Sequence, residues 1–72
     1  MKMTIELTNK DYARQLCEYL NMLATNKGVV NDFICYQIDS TTLKICAING
    51  SIKKVNVSQA IKDLANTEEV FV

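Results

Sequence analysis

Apolar and polar positions change period several times along this chain, and each change marks an element. Met3, Ile5 and Leu7 alternate with Lys2, Thr4 and Glu6, the period of two expected of a half-buried strand. From Asp11 to about Asn26 the period lengthens to that of a helix. Ala13, Leu16, Cys17, Leu20, Leu23 and Ala24 share one stripe, while Arg14, Glu18 and Asn21 fall on the other side. Thr8 or Asn9 offers the N-cap oxygen, and Asp11 puts an anion in the first turn, where the helix dipole favours it. Glu18 follows Arg14 by four residues as an exposed pair, and Lys27-Gly28 ends the helix, Gly supplying the left-handed conformation.

Beyond the helix the pattern is β-rich. Val29-Val30, Asn31-Asp32 and Phe33-Ile34 read as strand, two-residue turn and strand, because Asn and Asp tolerate the positive φ of a tight hairpin. The second arm continues to Ile38 or Asp39, with Ile34, Tyr36 and Ile38 alternating against Phe33, Cys35 and Gln37. Both of its faces are apolar, which suggests a central strand. Thr42 to Ile48 supports two readings. As a strand it turns Leu43, Ile45 and Ala47 inward; as a short helix capped by Ser40 or Thr42 it groups Leu43, Cys46 and Ala47 and ends at Asn49-Gly50. Its β-branched content tips the balance to strand. Ile52 to Val57 then reads as a strand, and Ser58 caps a helix containing Ala60, Ile61, Leu64 and Ala65. Asn66-Thr67 ends that helix, and Glu68 to Val72 is a short edge strand. The order β-α-β-β-(α or β)-β-α-β, without proline or linker, predicts one α+β domain over 1–72. It is a small open-faced sandwich, with helices on one face of a mostly antiparallel sheet.

Composition narrows the chemistry more than the fold. At 72 residues the chain buries roughly 60–65% of its unfolded surface, so pairing with itself or with a partner would add to a small core. Eight basic and eight acidic residues cancel, which removes the electrostatic footprint of a nucleic-acid binder. The N-terminus has one Lys before an alternating segment and no long apolar run, so neither a signal peptide nor a membrane segment is expected. Three cysteines without C-x-x-C spacing read as free thiols in a reducing cytoplasm. There is no histidine, and the two glycines, Gly28 and Gly50, stand alone. The commonest general base, the usual metal ligand and the Gly-rich phosphate cradles are therefore missing. No catalytic constellation, metal site or cofactor is expected.

Several residues still qualify for contact with a partner. Tyr12 and Arg14 open the first helix near the Asp39–Thr42 turn, and Tyr and Arg are enriched in interaction hot spots. Cys17 and Cys35 belong to the core, whereas the exposure of Cys46 depends on the state of residues 42–48. Ser40 and Thr42 suit caps and turns, and a phosphate there would sit well at a helix N-terminus.

Taken together, Tyr12-Ala13-Arg14, Ile38-Asp39-Ser40-Thr41-Thr42-Leu43 and Lys53-Lys54-Val55-Asn56-Val57 resemble the HPr-type phosphocarrier domain of the bacterial sugar phosphotransferase system. In that family a strand ends in a V-D-A-K-S-I-type segment whose Ser caps the second helix and is a regulatory phosphorylation site; the match places Thr42 there. The family's His-x-Arg begins the first helix, and Tyr12 stands where its phosphorylated His would be, with Arg14 retained and Gln15 in place of the usual Pro. The resemblance implies a helix over 42–48 that brings Leu43, Cys46 and Ala47 beside Tyr12 and Arg14 on a partner-binding face. It also implies that Tyr12 cannot carry phosphate as the His does.

Two functional readings follow. The first is a non-catalytic cytoplasmic interaction or regulatory domain, HPr-like but without the phosphoryl carrier, that binds another protein. The second is a ferredoxin-like α+β module that associates with itself as a weak homodimer through its sheet, with a small ligand as one option. The first expects a helix at 42–48 and the second a strand. A thiol enzyme using Cys46 is a third and weaker reading.

Overall fold

The structure, a computed structural model, describes residues 1–66. It contains β1 (Lys2–Glu6), α1 (Lys10–Asn26), β2 (Phe33–Gln37), β3 (Thr42–Ala47), α2 (Ser51–Lys54) and α3 (Val57–Asn66). The strands form one sheet in the order β1-β3-β2, and β3 runs antiparallel to both neighbours. The α1 crossover therefore leaves β1 and β2 parallel to each other with a gap that β3 fills, a split β-α-β unit. Helices pack on one face of this antiparallel sheet, so the small open-faced α+β sandwich expected from the sequence is what forms. The edge strand expected over 68–72 lies outside the described residues.

Alternation decides which side chains reach the core. Leu43, Ile45 and Ala47 of β3 and Phe33 and Cys35 of β2 are buried, and Met3 and Ile5 of β1 pack against them half-buried. From the helices, Ala13, Leu16, Leu20 and Ala24 of α1 and Val57, Ala60 and Leu64 of α3 close the same cluster. Burying a large apolar side chain contributes about 1.5–3 kcal/mol, and Phe33, Leu16, Leu20, Leu43, Ile45 and Val55 are the largest fully enclosed ones.

Three expectations are corrected. Val29-Val30 is not a hairpin arm. It belongs to the end of α1: Gly28, at φ +72°, donates to Thr25 O, and Val29 donates to Ala24 O. This pair of bonds is a Schellman cap, and buried Val29 is its apolar anchor. Residues 33–37 form an edge strand, not the centre of the sheet; β3 is central. The two-faced apolar pattern misled because the outward residues Ile34 and Tyr36 are exposed rather than covered. Residues 52–57 are not a strand. Asn49 and Gly50 both take positive φ, which turns the chain sharply into the single turn α2, and buried Ser51 Oγ donates to Asp32 O at 2.9 Å. The cap of α3 is correspondingly Asn56, whose Oδ1 accepts from Gln59 N, and not Ser58.

Asn21 is the fourth correction, and the most consequential. It does not face solvent. Its Nδ2 donates to Cys35 O at 2.8 Å, and its Oδ1 accepts from Cys35 N at 3.0 Å. One side chain thus occupies both backbone groups that Cys35 turns away from β3, where a further strand would otherwise pair. Phe33 N, the other outward donor at that end, is taken by Val29 O. Replacing Asn21 by Ala leaves Cys35 N–H and C=O without these partners, at a cost of about 1–3 kcal/mol. For a domain of this size that corresponds to a fall of about 5–15 °C in melting temperature, to be read by thermal unfolding. A shift within 1 °C or so would mean the bridge is incidental.

Candidate functional site

The residues proposed as one surface are not brought together. Residues 42–47 are a strand, as local propensity favours and against the helix that the family resemblance implies. The physical reason is the alternation itself: as a strand, Leu43, Ile45 and Ala47 all enter the core at 3% exposure or less. Leu43 and Ala47 are therefore buried and present nothing to a partner, while Cys46 points through the opposite face of the sheet. Thr42 opens β3 instead of capping a helix, and Ser40 is exposed in the β2–β3 turn. In that turn Asp39 Oδ1 accepts from Thr41 N at 3.0 Å. Hydrogen bonds from Thr41 and Thr42 hold the Asp39 carboxyl below its ordinary pKa.

Tyr12 and Arg14 separate as well. Asn9 caps α1 by accepting from Asp11 N and Tyr12 N, and the loop before it meets the β2–β3 turn through Leu7 N and Thr41 O at 2.8 Å. The expected proximity of loop and turn is thus present. Tyr12, however, leans the other way, its hydroxyl donating to Ile61 O on α3 at 3.3 Å. It fastens α1 to α3. Arg14 is exposed.

The surface that the fold does assemble is the sheet face away from the helices. Strand pairing sets Ile34, Cys46 and Lys2 in one row across it, and Tyr36, Lys44 and Thr4 in the next. Thr42 and Glu6 form a third row, which Ile38 joins through its N–H to Thr42 O. Ile34, Tyr36 and Ile38 are 53%, 41% and 53% exposed, an unusual concentration of large apolar surface along one strand. Cys46 and Lys44 lie half-buried beside them. The sequence held the signal for this face, since Ile34, Tyr36 and Ile38 alternate cleanly. The sequence reading takes that pattern as the mark of a central strand.

The cavities formed by the described residues are small. Two grooves beside Tyr19, one bounded by Glu18 and Met22 and the other by Leu23 and Asp63, have volumes of ≈ 260 and ≈ 200 Å³, below the common size of ligand pockets of about 300–1,000 Å³. Among the described residues no group of three or more Cys, Asp or Glu converges as metal ligands. No helix among them is long and apolar enough to cross a membrane. The three thiols differ sharply in setting. Cys17 Sγ donates to Cys35 O at 3.2 Å and accepts weakly from Asn21 Nδ2 at 3.8 Å. Burial, followed by the neighbouring Cys17, pushes the Cys35 thiol up to about 12. Comparison with protein-family models, curated proteins and solved structures finds no match for this chain.

A thiol reagent on the folded protein should modify Cys46 first and Cys35 last, in an order read by peptide mass spectrometry. Early modification of Cys35 would contradict the packing. The raised thiol also sets a pH dependence. Its folded pKa lies above the unfolded value, so its contribution is complete below about pH 9 and is lost as pH rises from about 9 towards 12. Cys35→Ala should flatten that alkaline limb of the stability curve, and an unchanged limb would contradict the assignment.

Proposed function

We propose that this chain is a non-catalytic, cytoplasmic protein-interaction domain, and that its contact surface is the helix-free face of the sheet. The observation that carries the reading is the set of Ile34 and Tyr36 on β2 and Ile38 just beyond it, three large apolar side chains standing exposed on one face. A strand in a small soluble domain normally turns polar residues outward on its solvated face. Here the solvated face of β2 is apolar, and β3 beside it contributes Thr42, Lys44 and Cys46. Aromatic and branched side chains ringed by polar ones match the make-up of interface centres and rims. The scattered carboxylates, the missing histidine and the shallow grooves support a binding role over a catalytic one.

Kinship with phosphocarrier domains is compatible with this reading but does not carry it. The element at 42–47 is a strand, which favours the alternative of a ferredoxin-like module acting through its sheet. Either way no phosphoryl-carrying histidine exists, so phosphoenolpyruvate and the first enzyme of that system should leave the protein unmodified. Its phosphorylation would overturn the non-carrier reading.

The contact surface is tested by substitution. Ile34→Glu together with Tyr36→Ser should abolish capture of a partner from the cell of origin. Met22→Ser, on the exposed side of α1, should leave it unchanged. Equal capture by all three proteins would overturn the proposal.

A further inference from the structure

The sheet has two edges, and they are treated differently. At β2 the outward groups of Cys35 are consumed by Asn21. At β1 no equivalent side chain is seen among the described residues. Leu7 N bonds Thr41 O, and Ala47 N bonds Met1 O, so the odd-numbered residues of β1 turn their backbone groups towards β3. Alternation then directs the N–H and C=O of Lys2, Thr4 and Glu6 outward. β3 is the only strand that pairs with β1 among the described residues. The segment is a five-residue strand with an unbroken register against β3 on its inner side.

From the sequence of this edge we infer that β1 pairs with β1 of a second copy of the chain, antiparallel and centred on Thr4. In that register Lys2 of each copy lies opposite Glu6 of the other, Thr4 opposite Thr4, and Met3 opposite Ile5. The residues whose backbone groups point away from β3 are those that an antiparallel ladder requires to face one another, giving about six new hydrogen bonds. Each Lys–Glu pair sits on the solvated face, and each Met–Ile contact falls on the core side, where both residues are half-buried in the single copy. Charge also selects against the competitors. A parallel pairing sets Lys2 beside Lys2 and Glu6 beside Glu6, and a slip of two residues leaves charges opposite threonines.

The two-fold axis passes through the Thr4 pair perpendicular to the sheet. The result is one six-stranded antiparallel sheet with both helical layers on one side and both apolar faces on the other. The dimer is independent of the proposed role of that apolar face and would double its extent. Two five-residue edges bury less than about 1,200 Å² in total, so the association belongs to the weak, reversible class.

Sedimentation equilibrium over about 10 μM to 1 mM spans the range expected of such an interface. The wild-type chain should pass from monomer to dimer across it. Thr4→Pro removes an N–H that β3 does not use, and it should weaken association about tenfold or more while leaving the far-ultraviolet spectrum unchanged. Lys2→Glu alone and Glu6→Lys alone should each be monomeric, and an equimolar mixture of the two should recover the dimer, because both cross-strand charge pairs are then restored. A wild-type monomer throughout would overturn the inference. So would a dimer indifferent to Thr4→Pro, or single variants that fail to recover on mixing although each is folded by circular dichroism.

Discussion

The amide of Asn21 does for β2 what the backbone of a further strand would do. An exposed edge strand carries unpaired donors and acceptors that recruit other strands, and proteins blunt such edges with bulges, charges or a covering element. Here the covering element is α1, and the fit is specific: a carboxamide has one donor and one acceptor face, spaced to meet the N–H and C=O of a single residue. Because Asn21 lies on α1 four residues after Cys17, the bond also fixes the rotation of the helix. It places Leu16, Leu20 and Ala24 over Phe33, Leu43 and Ile45, and sets the Cys17 thiol against the Cys35 carbonyl. Together with the Cys17 thiol, this side chain ties α1 to β2 and so supports the register of the apolar interface.

Closing one edge leaves an asymmetric molecule. Among the described residues, helices cover one face of the sheet and leave the other open, and Asn21 occupies one edge while the other has no partner strand. The covered face holds the core, to which β3 supplies Leu43, Ile45 and Ala47 and β2 supplies Phe33 and Cys35. The uncovered face gathers Ile34, Tyr36 and Ile38, and the free edge bears Lys2, Thr4 and Glu6. These two features lie on opposite strands of a three-stranded sheet, so an occupant of the face along β2 would not obstruct pairing at β1. The proposed function and the proposed dimer are in this sense separable properties of one scaffold.

Much of the scaffold was legible from the residues. The stripe of α1, its Asn9 cap and its Gly28 terminus, the alternation of β1, and the inward set Leu43, Ile45 and Ala47 all follow from local period and capping chemistry, and the structure contains each. The errors share a cause. Val29, Val55 and Asn21 are governed by where distant parts of the chain lie, which local pattern does not record. Val29 is β-branched yet serves a helix cap, and residues 52–57 alternate yet follow a turn of two left-handed residues. Asn21 is polar and lies off the main apolar stripe, so nothing short of knowing that β2 runs alongside could assign it inward. The grouping of the candidate residues depended on one element. Tyr12, Leu43 and Ala47 were grouped by assuming a helix at 42–48, and a strand there sends neighbouring residues to opposite faces.

Amide hydrogen exchange in dilute solution examines the difference between the two edges most directly. With Asn21 bound to it, the Cys35 amide should exchange about a hundredfold or more slowly than the amides of Lys2, Thr4 and Glu6, which have no partner among the described residues of the single copy. Cys35 exchanging as fast as Thr4 would show that the β2 edge is open too, and would contradict the account of a sheet closed on one side by a single side chain.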